Sequence, residues 1–242
     1  MESQPRGHGR WLREKVTHDL SDAAVRKAVG DDQIAYYRRR APWYDDIYHC
    51  AGDYDGGEEQ NAQWRADLAD IDAALARTPL RGECVELGVG TGYWTERYVD
   101  RVDRVWGLDA SVEMLEIAKR RLEAHAHKVE FEGTDLWRWN PHRVWDCALA
   151  CFFIEHVPDE VLPSLLASLH SALRPSGAVF IAEAAARDAE LQVETRDIHD
   201  RRFLVVERRR TSGEFRDLFS RAGFDVEVGG SRRFVHVVAT RR

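Results

Sequence analysis

The chain predicts an α/β protein: a seven-stranded, mostly parallel sheet wound with helices, closed by an antiparallel C-terminal hairpin and preceded by a helical cap. Three observations predict it. From residue 82 onward, short apolar runs alternate with helix-length stretches, as βαβ units read. The last two runs are joined by the short Gly-Gly-Ser-Arg connection at 229–232, a hairpin that forces one terminal strand antiparallel. Residues 1–81 hold no good strand and are rich in Tyr, Arg and Asp. They divide as a helical cap or lid (1–81) from a compact sheet unit (82–242).

The cap reads as helices over 20–29, 31–40 and 61–77. In the sheet unit, strands are expected at 84–87, 104–108, 128–132, 145–151, 178–183, 225–229 and 233–240. Helices are expected at 91–99, 111–124, 159–173 and 212–222. The third of these opens on Pro158-Asp159-Glu160, an acidic first turn that suits the positive end of a helix. The polar stretch 187–210 fits neither pattern and reads as a mobile insertion or lid.

Composition narrows the function classes. An apolar share of 44% and a charged share of 32% are those of a soluble globular chain. No apolar run approaches a membrane span, so no membrane partner is expected. The polar start MESQPRGHGRWLREK is no secretory signal, and the expected compartment is the cytoplasm. A net charge of −7 argues against nucleic acid, whose phosphates reward a basic surface. Cys50, Cys84, Cys147 and Cys151 form no CxxC pair and read as reduced core residues. His125 and His127 lack a third ligand within reach, so no metal site is expected.

The informative stretch is "CVELGVGTGYWT", residues 84–95, where three glycines follow an apolar run that contains one acid. Glycine admits φ > 0 and lets a ligand lie against the backbone. Gly88, Gly90 and Gly92 therefore read as a tight turn into a helix whose N–H groups face a ligand. A plain strand-to-helix turn and a dinucleotide-binding turn fit equally well at this point. Asp109 ends the next run about twenty residues on, where an acid accepts both hydroxyls of a ribose. Asp135 ends the third run, at the far edge of the same crevice, placed to accept from an adenine amino group. Glu86, costly inside a strand unless hydrogen-bonded, reads as the organiser of the turn's N–H groups beside a cationic ligand.

With these residues the chain resembles the class I S-adenosylmethionine (SAM)-dependent methyltransferases of the small-molecule type. The resemblance rests on "VELGVGTGYWT", "VWGLDASVEMLEIAKRR", "VEFEGTDLW", "WDCALACFFIEHVP" and "LHSALRPSGAVFIAE", in the family's order, over about residues 82–183. "YYRRRAPWYDD" is similar to the Tyr-rich helix and Tyr-Asp pair that many members close over the cofactor. The resemblance implies a Rossmann-like fold, SAM as cofactor and S-adenosylhomocysteine (SAH) as product. It implies that Gly88, Gly90 and Gly92 meet the methionyl part, with Glu86 near its ammonium. It also implies that Asp109 takes the ribose, that Ala110 and Met114 line the adenine pocket, and that Thr134, Asp135 and Leu136 lie at the adenine edge. It implies further that Cys151 and Phe152 flank the sulfonium and that Tyr36 and Tyr44 close the lid, with Arg39 or Arg40 as the expected holder of the cofactor carboxylate from the cap.

Other readings stand beside these. His156 is the candidate general base, with a loop-closing packing role as the alternative, and Glu155 is a second acid in the same loop. Trp94, Trp137, Trp139 and Trp145 are stacking surfaces or core. The runs Arg38–Arg40 and Arg208–Arg210 are solvated faces or holders of an acidic group. The expected function is methyl transfer to an O or N atom of a small molecule by a monomer or homodimer. A NAD-dependent dehydrogenase and a methyltransferase-fold protein that binds SAM or SAH without turnover are the alternatives.

Overall fold

The computed structural model describes residues 14–16, 18–186 and 193–242. The first half holds β1 (Glu14–Val16), α1 (Ala23–Arg40), α2 (Asp46–His49), α3 (Glu58–Arg77), β2 (Glu83–Leu87), β3 (Arg104–Asp109), α4 (Val112–Arg121) and β4 (Val129–Gly133). The second holds β5 (Trp145–Cys151), α5 (Leu162–Ser171), β6 (Leu173–Ala184), β7 (Val193–Ile198), β8 (Arg201–Val206), α6 (Ser212–Arg221), β9 (Phe224–Gly230) and β10 (Phe234–Arg241).

Seven strands make the central sheet in the order β4-β3-β2-β5-β6-β10-β9, and only β10 runs antiparallel to its neighbours. β2 and β5 lie at the middle and are covered on both faces, which is why they read as nearly unbroken apolar runs. α5 and α6 cover one face, setting Leu165, Leu169, Phe215 and Phe219 against Val85, Ala148, Val179 and Val237. The other face buries Ile71 and Leu75 of α3 with Cys84, Leu149 and Phe180. The chain leaves β4 at one edge and returns to β5 on the far side of β2. The strand order therefore reverses there, and a crevice opens beyond the carboxyl ends of β2 and β5.

Three local expectations are corrected. Residues 91–99 form no α-helix. Two 3-10 turns, Thr95–Arg97 and Val99–Arg101, follow the glycines instead. Side chains at i and i+3 line up in a 3-10 turn, so Thr95 and Tyr98 both donate to Glu86 Oε2, at 2.6 and 2.8 Å. The buried carboxylate thus selects the tighter turn. The two helices expected at 20–29 and 31–40 are one, α1, capped by Asp22, whose carboxylate accepts from the N–H groups of Ala24 and Val25. Gly30, which lies between the two expected stretches, is a close approach: a Cβ there would lie 2.9 Å from the Trp137 ring.

The third correction concerns 187–210. Residues 187–192 lie outside the described residues, but 193–206 are a hairpin, β7–β8, and β1 pairs with β7 to complete a second, antiparallel sheet. A strand therefore does lie within residues 1–81. α1 packs along β8, burying Leu20 and Val29 with Val193 and Val206, and Tyr36 with Ile198, Phe203 and Val205. The cap is thus built from both ends of the sequence.

Candidate active site

The glycine turn is held from below. Gly88 and Val89 donate to the Leu108 carbonyl at 2.8 and 3.0 Å, and Gly90 donates to Asp109 Oδ2 at 2.9 Å. Asp109 Oδ1 accepts from the Ser111 N–H at 2.8 Å. The Leu108 carbonyl and Asp109, not Glu86, therefore organise the turn's N–H groups, which corrects the expectation for Glu86. All three glycines have φ between 54° and 75°. A Cβ at Gly88 would strike Phe153 at 2.8 Å, whereas one at Gly90 would meet nothing nearer than the Gly88 carbonyl at 3.9 Å. Gly90 faces open crevice, so the missing side chain leaves room for a ligand.

That crevice has a volume of about 380 Å³. Of the residues marked in the sequence, Tyr44, Gly88, Gly90, Asp109, Ala110, Met114, Asp135, Leu136, Phe152 and His156 line it. Glu86, Gly92, Thr134 and Cys151 stand behind its wall: Gly92 packs on Ala118 and Leu122, and the Thr134 N–H donates to the Asp109 carbonyl. Tyr36 and Arg40 lie apart from it. Tyr36 is buried against Phe203. Arg40 donates to the hydroxyls of Tyr36 at 3.2 Å and Tyr54 at 2.5 Å.

A second chamber, of about 700 Å³, adjoins the crevice. Tyr37, Tyr44, Phe152 and His156 line both spaces and so form the partition between them. His156 is 8% exposed. Its Nδ1 lies 2.7 Å from the Val206 carbonyl, which has only acceptor capacity, so Nδ1 carries the hydrogen. Nε2 then accepts from the Tyr37 hydroxyl at 2.7 Å. Burial, with Arg196 nearby, lowers the imidazole pKa to about 3, leaving the ring neutral. Burial also raises the Tyr37 phenol well above its ordinary range.

Several positioning residues escaped the sequence reading. Gln33 donates to the His156 carbonyl at 3.1 Å and accepts from the Val206 N–H at 2.9 Å, pinning α1 to the partition and to β8. Trp137 Nε1 donates to the same His156 carbonyl. Asp45 accepts from Thr91 Oγ1 at 2.6 Å and pairs with Arg121, tying the cap to the glycine turn and to α4. The Tyr44-Asp45 pair was the available signal for this latch. Gln33 offered none, since its partners lie more than a hundred residues away.

Buried acids frame the loop after β5. Glu183 accepts from the N–H groups of Phe153, Ile154 and Glu155. Burial, with Glu155 adjacent, raises its carboxyl well above the ordinary range. Among the described residues no His, Cys, Asp and Glu cluster suits a metal ion, and no helix is long and apolar enough to cross a membrane.

Comparison with known proteins agrees with this geometry. A family model described as a methyltransferase domain matches residues 58–227. The uncharacterized methyltransferase GK2543 of Geobacillus kaustophilus is 29% identical over 190 residues, covering 75% of this chain and 87% of that protein. Trans-aconitate 2-methyltransferase of Rhizobium leguminosarum is 33% identical over 111 residues, 44% of this chain and 41% of that one. A solved complex of DhpI with SAM and HEP superposes with a TM-score of 0.74 at 28% identity, covering 88% of this chain and 97% of DhpI. The family match spans most of the chain and the SAM-bound relative shares its fold nearly end to end, so the chain belongs to the class I SAM-dependent methyltransferases.

Proposed function

We propose that the protein transfers the SAM methyl group to an O or N atom of a small molecule seated in the second chamber. One observation carries this reading. Tyr37, Tyr44, Phe152 and His156 wall both spaces at once, so a donor on one side and an acceptor on the other meet across a single layer of side chains. SAM supplies a methyl group on a sulfonium, a leaving group already activated by its charge.

The crevice residues fit that cofactor. A carboxylate offers about four acceptor sites, so Asp109, with two taken by N–H groups, keeps capacity for both ribose hydroxyls. Met114, Ala110 and Leu136 supply the apolar adenine pocket and Asp135 its polar edge. Gly88 and Gly90 admit the methionyl part, Phe152 stands beside the sulfonium, and Cys151 packs behind it. Tyr44 closes the crevice from the cap, while Arg40 faces the acceptor side. What the chain contributes to rate is alignment and exclusion of water. His156, neutral and bonded at both nitrogens, serves that work by fixing Tyr37 at the partition.

Calorimetry tests the cofactor half: SAH binds and NAD does not. Asp109→Ala loses two charge-assisted hydrogen bonds worth about 1.5–3 kcal/mol each, so its SAH affinity falls at least tenfold while the fold persists. Unchanged affinity in a folded variant removes Asp109 from the site.

A further inference from the structure

The second chamber has a charge balance unlike the rest of the molecule. Among the described residues five arginines line it, Arg40, Arg196, Arg209, Arg232 and Arg233, against two carboxylates, Glu155 and Glu207, in a chain whose net charge is −7. Its other walls are largely aromatic. Of the arginines, Arg40 and Arg196 are buried, so their charges are poorly screened and act strongly on whatever enters, while Arg209, Arg232 and Arg233 stand at the exposed rim. The arginines are supported rather than adrift. Glu207 pairs with both Arg196 and Arg209, Glu194 lies 3.4 Å from Arg196, and Asp67 lies 3.4 Å from Arg233. Arg196 is 4% exposed, and its Nε–H finds no hydrogen-bond acceptor among the described residues. A guanidinium presents five donors in a planar fork that matches two oxygens of one oxyanion, so one edge can hold a carboxylate of the protein while another serves a ligand.

The partition points the same way. A neutral alcohol or ammonium acceptor must lose a proton, and His156 is the imidazole at the junction. Its Nδ1 hydrogen is committed to Val206 and its Nε2 lone pair to Tyr37. A proton passed through Tyr37 would make an imidazolium beside Arg196 in a buried pocket. The remaining acid near that nitrogen, Glu155, has its Oε1 3.7 Å from Nε2 and stands against Glu183.

We propose, on the reading of the chamber as the acceptor site, that the acceptor is an oxyanion, a carboxylate or a phosphoryl group, and that the product is its methyl ester. A lone pair on the anionic oxygen forms the bond to the methyl carbon, and the C–S bonding pair returns to sulfur. The negative charge of the acceptor and the positive charge of the sulfonium cancel, no proton moves, and no base is needed. The arginines hold the second oxygen of the oxyanion and turn the first toward Phe152 and the crevice.

Two measurements on the full chain test this. First, the SAH-saturated protein is titrated at constant ionic strength with inorganic phosphate, methylphosphonate and propane-1,2,3-tricarboxylate, with the triamide of the last as the neutral match. At least one oxyanion binds and the triamide does not, and Arg209→Gln and Arg232→Gln, both at accessible positions, each weaken oxyanion binding at least fivefold. Second, methyl transfer from labelled SAM is followed over a panel of carboxylic and phosphonic acids and their amide, amine and alcohol counterparts, in weak buffer with a pH indicator. Label goes to acids alone, with no proton released per turnover from a carboxylate, or from a phosphonate assayed at a pH where both its ionisations are complete. Mild alkali then frees labelled methanol from a carboxylate ester but leaves a phosphonate monoester intact, which tells the two sources apart. Where no panel member turns over, the first measurement decides. Binding of SAH with no response to any oxyanion, or methylation of an alcohol or amine with one proton released, overturns the proposal. Failure of SAH itself to bind strikes instead at the cofactor crevice.

Discussion

Glu86 shows how one buried acid shapes the region around it. It is 2% exposed, and burial raises its pKa to about 7 despite the hydroxyls of Thr95 and Tyr98. An unfolded glutamate titrates near 4.5, so between these values the native chain holds a proton that the unfolded chain has released. Stability from this group is therefore full below about pH 4.5, falls by about 3 kcal/mol as pH rises toward 7, and is flat above. Glu86→Gln keeps an acceptor for both hydroxyls and removes the titration. Urea midpoints at pH 5, 6, 7 and 8 are expected to converge toward a flat profile in the variant, and a wild-type slope retained by the variant sets this account aside. His156 makes the complementary case. With its pKa lowered to about 3, its ring carbons show no titration by NMR between pH 5 and 9, whereas a midpoint near 6.5 refutes the buried, doubly bonded ring.

At the scale of elements, β5 is the central support. Leu149 is fully buried between α3 and the sheet, and Leu149→Ala is expected to cost about 2–5 kcal/mol, read from the denaturant midpoint at unchanged m-value. The central strands of the sheet were legible because both-face burial leaves apolar runs, and the edge strands β4 and β9 because one-face burial leaves apolar and acidic residues alternating. β7 and β8 were not. β7 reads Val-Glu-Thr-Arg-Asp-Ile, and its Glu194, Thr195 and Arg196 are buried, so the alternation that marks a strand is masked by charges that pair inside. The turns after β2 were misread as a helix for a similar reason: Glu86, in another element, sets their pitch. In the site, residues whose partners are close in sequence or part of the glycine motif were found. Gln33 and Arg196 were not, since each acts through a partner supplied by the tertiary fold.

Taken whole, the molecule is a sheet unit with α3 packed into one face and α1 and α2 held over the crevice by contacts that include Asp45 to Thr91 and Arg121, Gln33 to the partition and Tyr48 on Tyr93. Such a cap is expected to admit ligand by loosening and to exclude water by closing. Residues around 31–50 are expected to gain protection from hydrogen exchange when SAH binds, because Tyr37 and Tyr44 line the crevice proposed to hold it. Asp45→Ala removes one fastening and is expected to speed exchange across α2 without SAH and to weaken SAH several-fold. Equal exchange of this segment with and without SAH leaves the closing motion without support.

The second sheet also bears on how the chain is made. α1 ends at Arg40, and β8, the strand it packs along, is complete only at Val206. A ribosome adding 5–20 residues per second needs on the order of 10–30 s to cover that distance. Throughout that interval Leu20, Val29 and Tyr36 have emerged, while Val193, Phe203 and Val206, their eventual neighbours, do not yet exist. α1 thus leaves the ribosome well before the strands that hold it exist, and Leu20, Val29 and Tyr36 lack their native cover until the hairpin arrives.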